Sequence, residues 1–133
     1  FHLLGSRPTD IMPAYFSAAD ALLVTLRAEQ VFALTVPSKI QSYLACGKPV
    51  IAALNGEGAK IVSDANVGVS CPAENPDKLA AAVLTLYEMP VAKRQALGKN
   101  ARAYFEANYE REMLLDRLER WMTETSETQA CAS

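Results

Sequence analysis

The chain has 133 residues, half of them hydrophobic, which is enough for one domain with a real core and too apolar for a disordered segment. With 13 basic and 15 acidic residues the formal charge is −2, so no positive field is available for a polyanion and nucleic acid is a poor partner. Cys46, Cys71 and Cys131 are too few and too widely spaced for a disulfide framework or a zinc site, and they fit a reducing compartment. His2 is the single histidine and cannot make a metal cluster alone. No apolar run approaches the roughly 20 residues that span a bilayer. The chain opens on Phe-His-Leu-Leu without an initiator Met and reads as part of a larger protein.

Phe1–Leu4 is a short apolar run ending at Gly5 and predicts a buried strand, followed by a turn over Gly5, Ser6, Arg7 and Pro8. Asp10 is placed to N-cap a helix running to about Ala19, with Pro13 in its first turn. Ala21–Leu26 predicts a second buried strand, and Arg27–Leu34 a loop. A helix follows from about Val36 to Cys46; Pro37 suits its first turn, and Ile40, Tyr43 and Leu44 share one face. Gly47 is placed to end it. Pro49–Ala53 predicts a third strand, Gly56–Asn66 a short helix, and Val67–Cys71 a fourth strand closed by Pro72.

Beyond Cys71 the pattern turns helical. Asn75 or Asp77 caps a helix to about Met89, Pro90 opens another through about Ala107, and Asn108 or Glu110 starts a last one reaching Thr123. The small polar tail from Thr125 to Ser133 is expected to fray. Strands and helices alternate over residues 1–89, and each strand is a nearly continuous apolar run. The predicted fold is therefore α/β, a doubly wound parallel sheet of Rossmann-like type with trailing C-terminal helices.

Ligands of such sheets bind outside the carboxyl ends of the strands. That rule selects Gly5–Pro8, Thr25–Lys39 and Asn55–Gly58. Within them, the helix start at Pro37, Ser38 and Lys39 offers backbone N–H groups, a hydroxyl and a cation, a natural seat for phosphate or carboxylate. Gly56 and Glu57 open the next helix, and Glu57 suits hydrogen bonds from ligand hydroxyls as well as it suits the helix dipole.

Four blocks in order, Leu3–Leu26, Pro37–Ala52, Gly56–Val62 and Asn75–Leu86, resemble the C-terminal, donor-binding half of the GT-B retaining glycosyltransferases of the family-four group. The resemblance implies transfer of a sugar from a nucleotide diphosphate sugar to an acceptor with retention at the anomeric carbon. It implies that Gly5, Ser6 and Arg7 face the base, that Pro37, Ser38 and Lys39 face the diphosphate or the sugar, and that Ser42 faces the ribose. Gly56 and Glu57 complete the substrate-binding set, and no catalytic residue or metal ligand is assigned.

The resemblance implies a nucleotide-sugar-binding domain over residues 1–124 and a flexible tail over 125–133. It implies a partner N-terminal acceptor-binding domain outside this chain, so that the chain alone does not turn over. No cofactor is implied beyond the donor, and with no metal-ligand cluster in the sequence a metal-independent reaction is expected. The setting implied is cytoplasmic, at the inner face of a membrane, in cell envelope polysaccharide synthesis.

Two family carboxylates, with seven residues between them in that group, are replaced here by Leu34 and Ser42. The aromatic and apolar residues from Tyr104 to Trp121 form a face that would meet the other half, and that invites self-association when bare. A different reading of the same pattern is a non-catalytic nucleotide-binding or flavodoxin-like signalling module. Its phospho-receiver version calls for clustered aspartates after the first strand, and these are not evident. A sugar-nucleotide epimerase would require a cleft histidine, which this segment does not offer.

Overall fold

A computed structural model describes residues 2–130, with side chains described through Thr125. A 3-10 turn at Thr9–Ile11 leads into α1 (Met12–Ala18). Then follow β1 (Leu22–Thr25), α2 (Gln30–Ala33), α3 (Ser38–Ala45), β2 (Val50–Ala53), α4 (Glu57–Asp64) and β3 (Gly68–Cys71). Three longer helices end the chain: α5 (Pro76–Glu88), α6 (Val91–Asn108) and α7 (Arg111–Ala130).

The strands form one parallel sheet in the order β1-β2-β3. Leu22 aligns with Val50 and Val50 with Gly68, so the three strands start and finish level. Side chains alternate across the sheet. On one face Leu22, Val24, Val50 and Ala52 pack with Ile40, Tyr43 and Leu44 of α3, Val62 of α4 and Ala101 of α6. On the other face Ile51, Ala53 and Cys71 pack with Ala82 and Leu86 of α5 and Leu97 of α6. Ile40 and Leu44 are fully buried, as their shared helical face predicts.

The helix ends follow residue chemistry. Asn75 caps α5, its side chain accepting from the Lys78 N–H at 2.9 Å. Gly47 follows α3 with φ 63°, the left-handed stop that a glycine makes without strain. The Arg102 guanidinium, from α6, donates to the Ala45 carbonyl at 2.8 Å and satisfies the end of α3. Arg94 near the start of α6 donates to the carbonyls of Leu86, Tyr87 and Met89, the last at 2.7 Å, and so ties α6 to the end of α5.

Several expectations are corrected. Among the described residues there are three strands, not four. Residues 2–4 are exposed and form no strand, with Leu3 96% exposed, so His2 is neither packed nor on a sheet edge. An apolar run becomes a strand only where a neighbouring backbone completes its ladder, and none lies alongside it. Phe1 falls outside the described residues. Asp10 does not cap α1: it sits inside the 3-10 turn, and Ile11 is the residue before α1. The segment read as a loop after β1 contains the four-residue α2. The last helix runs on to Ala130 rather than ending at Thr123.

Candidate functional site at the carboxyl edge of the sheet

All three strands point their carboxyl ends to one edge, and α3, α4 and α5 all start there. These three starts differ in a way that matters for binding. Asn75 caps α5 with its own side chain. The residues before α3 and α4 are Pro37 and Gly56, and neither makes a side-chain cap. The first N–H groups of a helix have no internal partner, so both starts keep donors and the positive end of the dipole open to a ligand.

Tight packing brings these two uncapped starts together. A Cβ at Gly58, in the first turn of α4, would lie 3.2 Å from Cδ of Pro37 and 3.0 Å from Cδ1 of Ile40 in α3. A side chain there would force the Leu54 and Ile40 side-chain ends and the Pro37 ring to give way, so glycine allows this approach without adjustment. Gly56 itself takes φ 79° and ψ −146°, a conformation essentially confined to glycine, and its backbone lies against Ala33 at the end of α2. The segment after β1 thus folds down onto the start of α4.

Ser38 and Lys39 are both exposed at the head of α3. No acidic residue occupies that first turn, so Lys39 adds its charge to the dipole unopposed from within the turn. Ser42 is one turn further along, exposed, and donates its hydroxyl to the Ser38 carbonyl at 3.2 Å. Its lone pairs stay free to accept from a ligand. Glu57 is exposed in the first turn of α4. Leu34, at one of the two positions where the resembled family carries a carboxylate, is 73% exposed.

Gly5, Ser6 and Arg7 are exposed in the segment ahead of the first turn, and open space surrounds the position where a Cβ on Gly5 would point. They were selected as the loop after a first strand. With no strand at residues 2–4, that reason for placing them at the edge is lost. Pro37, Ser38, Lys39, Ser42, Gly56 and Glu57 sit on α3, α4 and their starts, which meet through Gly58.

The sequence reading missed the loop after β3. Asn55 accepts from the Ala73 N–H at 3.2 Å, and Glu74 accepts from the Ala28 N–H at 3.3 Å, so this loop joins those after β2 and β1. Glu74 does so from a left-handed backbone with φ 58°. Beneath it a cavity of about 420 Å³ opens on the α5 side of the sheet, lined by Thr25, Arg27, Glu74, Asn75 and Leu79 among others. From the sequence Asn75 is legible only as a candidate helix cap, and Glu74 carries no signal.

In an α/β domain of this kind, ligands bind outside the carboxyl ends of the parallel strands, where these helix starts gather. The sequence model of the family described as Glycosyl transferases group 1 matches residues 1–89, and the chain belongs to that family. It is similar to the probable glycosyltransferase WbjE of Pseudomonas aeruginosa, 31% identical over 103 residues, which cover 76% of this chain and 25% of that protein. No solved structure matches the chain. Among the described residues no helix is long and apolar enough to cross a membrane.

Proposed function

We propose that the chain is the donor-binding part of a retaining GT-B glycosyltransferase, and that it holds the diphosphate of a nucleotide sugar at the start of α3. The observation that carries this is the pairing of two uncapped helix starts through Gly58, with Ser38 and Lys39 exposed beside them. Backbone donors fixed in advance and a lysine suit the charge that develops on a departing diphosphate, and stabilisation of that kind is often the largest catalytic contribution. Ser42 lies in reach of a ribose hydroxyl, and Glu57 of sugar hydroxyls. The acceptor is bound by a further domain, so sugar transfer belongs to the longer protein. The cytoplasmic, membrane-facing setting and an envelope polysaccharide product belong to the same reading.

The test is a titration of the chain with UDP, GDP and their sugars by calorimetry or ligand-observed NMR. Binding to one diphosphate, weakened in Lys39→Ala, supports the reading. Binding that is unchanged in Lys39→Ala would place the diphosphate elsewhere.

A further inference from the structure

The chain has five asparagines, and Asn55 alone precedes a glycine. An asparagine side chain is open to attack by the backbone nitrogen of the next residue, and glycine, with no Cβ, presents the least hindered nitrogen. Asn55 and Gly56 are both exposed in the loop after β2. Among the described residues no hydrogen bond engages the Gly56 N–H or the Asn55 Nδ2.

The fold closes this route at every other asparagine. After Asn66, the Val67 N–H donates to the Val62 carbonyl at 3.2 Å. After Asn108, the Tyr109 N–H donates to the Phe105 carbonyl at 2.7 Å. Asn75 precedes Pro76, whose nitrogen carries no proton. Asn100 precedes Ala101, which lies inside α6 with its N–H in the helical ladder. Asn55 also has a positive feature. Its Oδ1 accepts from the Ala73 N–H at 3.2 Å, so a fixed donor already faces the oxygen on which charge would develop.

We infer that Asn55-Gly56 is a self-modifying site, at which Asn55 loses ammonia to become aspartate or isoaspartate. Hydroxide takes the proton of the Gly56 N–H, and the nitrogen attacks Cγ of Asn55. Negative charge moves onto Oδ1, opposite the Ala73 N–H. The Cγ–Nδ2 bond then breaks, Nδ2 takes a proton from water, and ammonia departs from a five-membered imide. Water reopens the ring without oxidation or reduction. Addition at Cγ gives aspartate. Addition at the Asn55 main-chain carbonyl gives isoaspartate, with one extra methylene in the backbone beside Gly56. Either product sets a carboxylate just ahead of α4, where it opposes the positive end of the helix. If the diphosphate docks as proposed above, the converted chain binds it more weakly. That consequence rests on the diphosphate reading, whereas the conversion does not.

The test holds the folded chain in mildly alkaline buffer and follows each asparagine peptide by mass spectrometry. An isoaspartyl methyltransferase reports isoaspartate, and far-UV circular dichroism verifies the fold. A synthetic peptide of residues 51–60 supplies the unfolded comparison. Conversion is expected at Asn55, faster at higher pH, with Asn66, Asn100 and Asn108 retained. Asn55→Gln, whose ring would need six members, should stay intact at that position. Asn55 unchanged in the folded chain once the peptide has fully converted overturns the inference. Equal conversion at Asn66 or Asn100 overturns it as well. Asn55→Asp, titrated with UDP and GDP beside the unaltered chain, should bind about threefold more weakly. Equal affinity overturns the effect on binding, and binding by neither chain counts against the diphosphate reading while the mass record still decides the conversion.

Discussion

Gly56 carries its backbone so close to the Ala33 carbonyl that a side chain at position 56 would overlap it. That contact presses the segment after β1 onto the first turn of α4, and it fixes the floor of the candidate site. Gly56→Ala meets two obstacles at once, a backbone conformation closed to alanine and the Ala33 carbonyl. The strain alone costs about 1–3 kcal/mol. Urea denaturation is expected to show at least that loss. Gly5→Ala meets no neighbouring atom but carries a left-handed backbone of φ 71°, so its expected loss is the backbone strain alone, without the clash at position 56.

Lys39 is exposed and sits outside the core, so Lys39→Ala should leave stability within about 0.5 kcal/mol. If the diphosphate docks at α3, its affinity falls by about tenfold, the scale of one charge-assisted contact. The affinity also becomes less sensitive to salt, which calorimetry at two ionic strengths reads directly.

Leu44 is fully buried on the α3 side of the sheet. Leu44→Ala is expected to cost about 2–5 kcal/mol by lost burial and the cavity left behind. Leu23→Ala, at a position 46% exposed on β1, should cost far less in this chain. Equal losses from thermal melts of the two variants would contradict that difference in burial.

Asn75 supplies the one side-chain cap among the helix starts at the carboxyl edge. Asn75→Ala should destabilise the chain by about 1 kcal/mol, and Asn75→Asp should preserve most of the cap. Because Asn75 also lines the cavity at Thr25 and Arg27, nuclear resonances of those two residues should shift in the alanine variant.

Glu110 caps α7, accepting from the Met113 N–H at 2.9 Å. That bond, then those from the Glu112 and Arg111 amides, hold its carboxyl below the ordinary glutamate range. A lowered folded-state pKa adds stability above the unfolded value and loses it as pH falls through the folded one. The helical signal in far-UV circular dichroism should therefore decline on acidification below the usual glutamate range. Glu110→Gln should lack that component.

Much of this architecture is legible in the residues. The runs at Leu22–Thr25 and Val50–Ala53, apolar but for Thr25, become parallel strands. Ile40, Tyr43 and Leu44 define the buried side of α3, and Gly47 ends it in the left-handed turn its freedom allows. The failures share one cause, dependence on partners distant in sequence. Phe1–Leu4 has strand composition, but nothing lies beside residues 2–4 to complete a ladder. Four residues of helix at Gln30–Ala33 carry no periodic signal of their own. The left-handed backbone of Glu74 has no residue signature, so its link to Ala28 and the loop after β3 went unread. For the site, Ser38 and Lys39 could be chosen from the sequence. That Pro37 and Gly58 pack α3 and α4 start to start could not.

A helix that begins at Pro37 with no side chain to close it is least secure in its opening turn, where Ser38 and Lys39 lie. Any anion that settles there does the work Asn75 does for α5. Occupancy of the site should thus be felt as heat resistance of the whole domain, growing with ligand concentration by mass action.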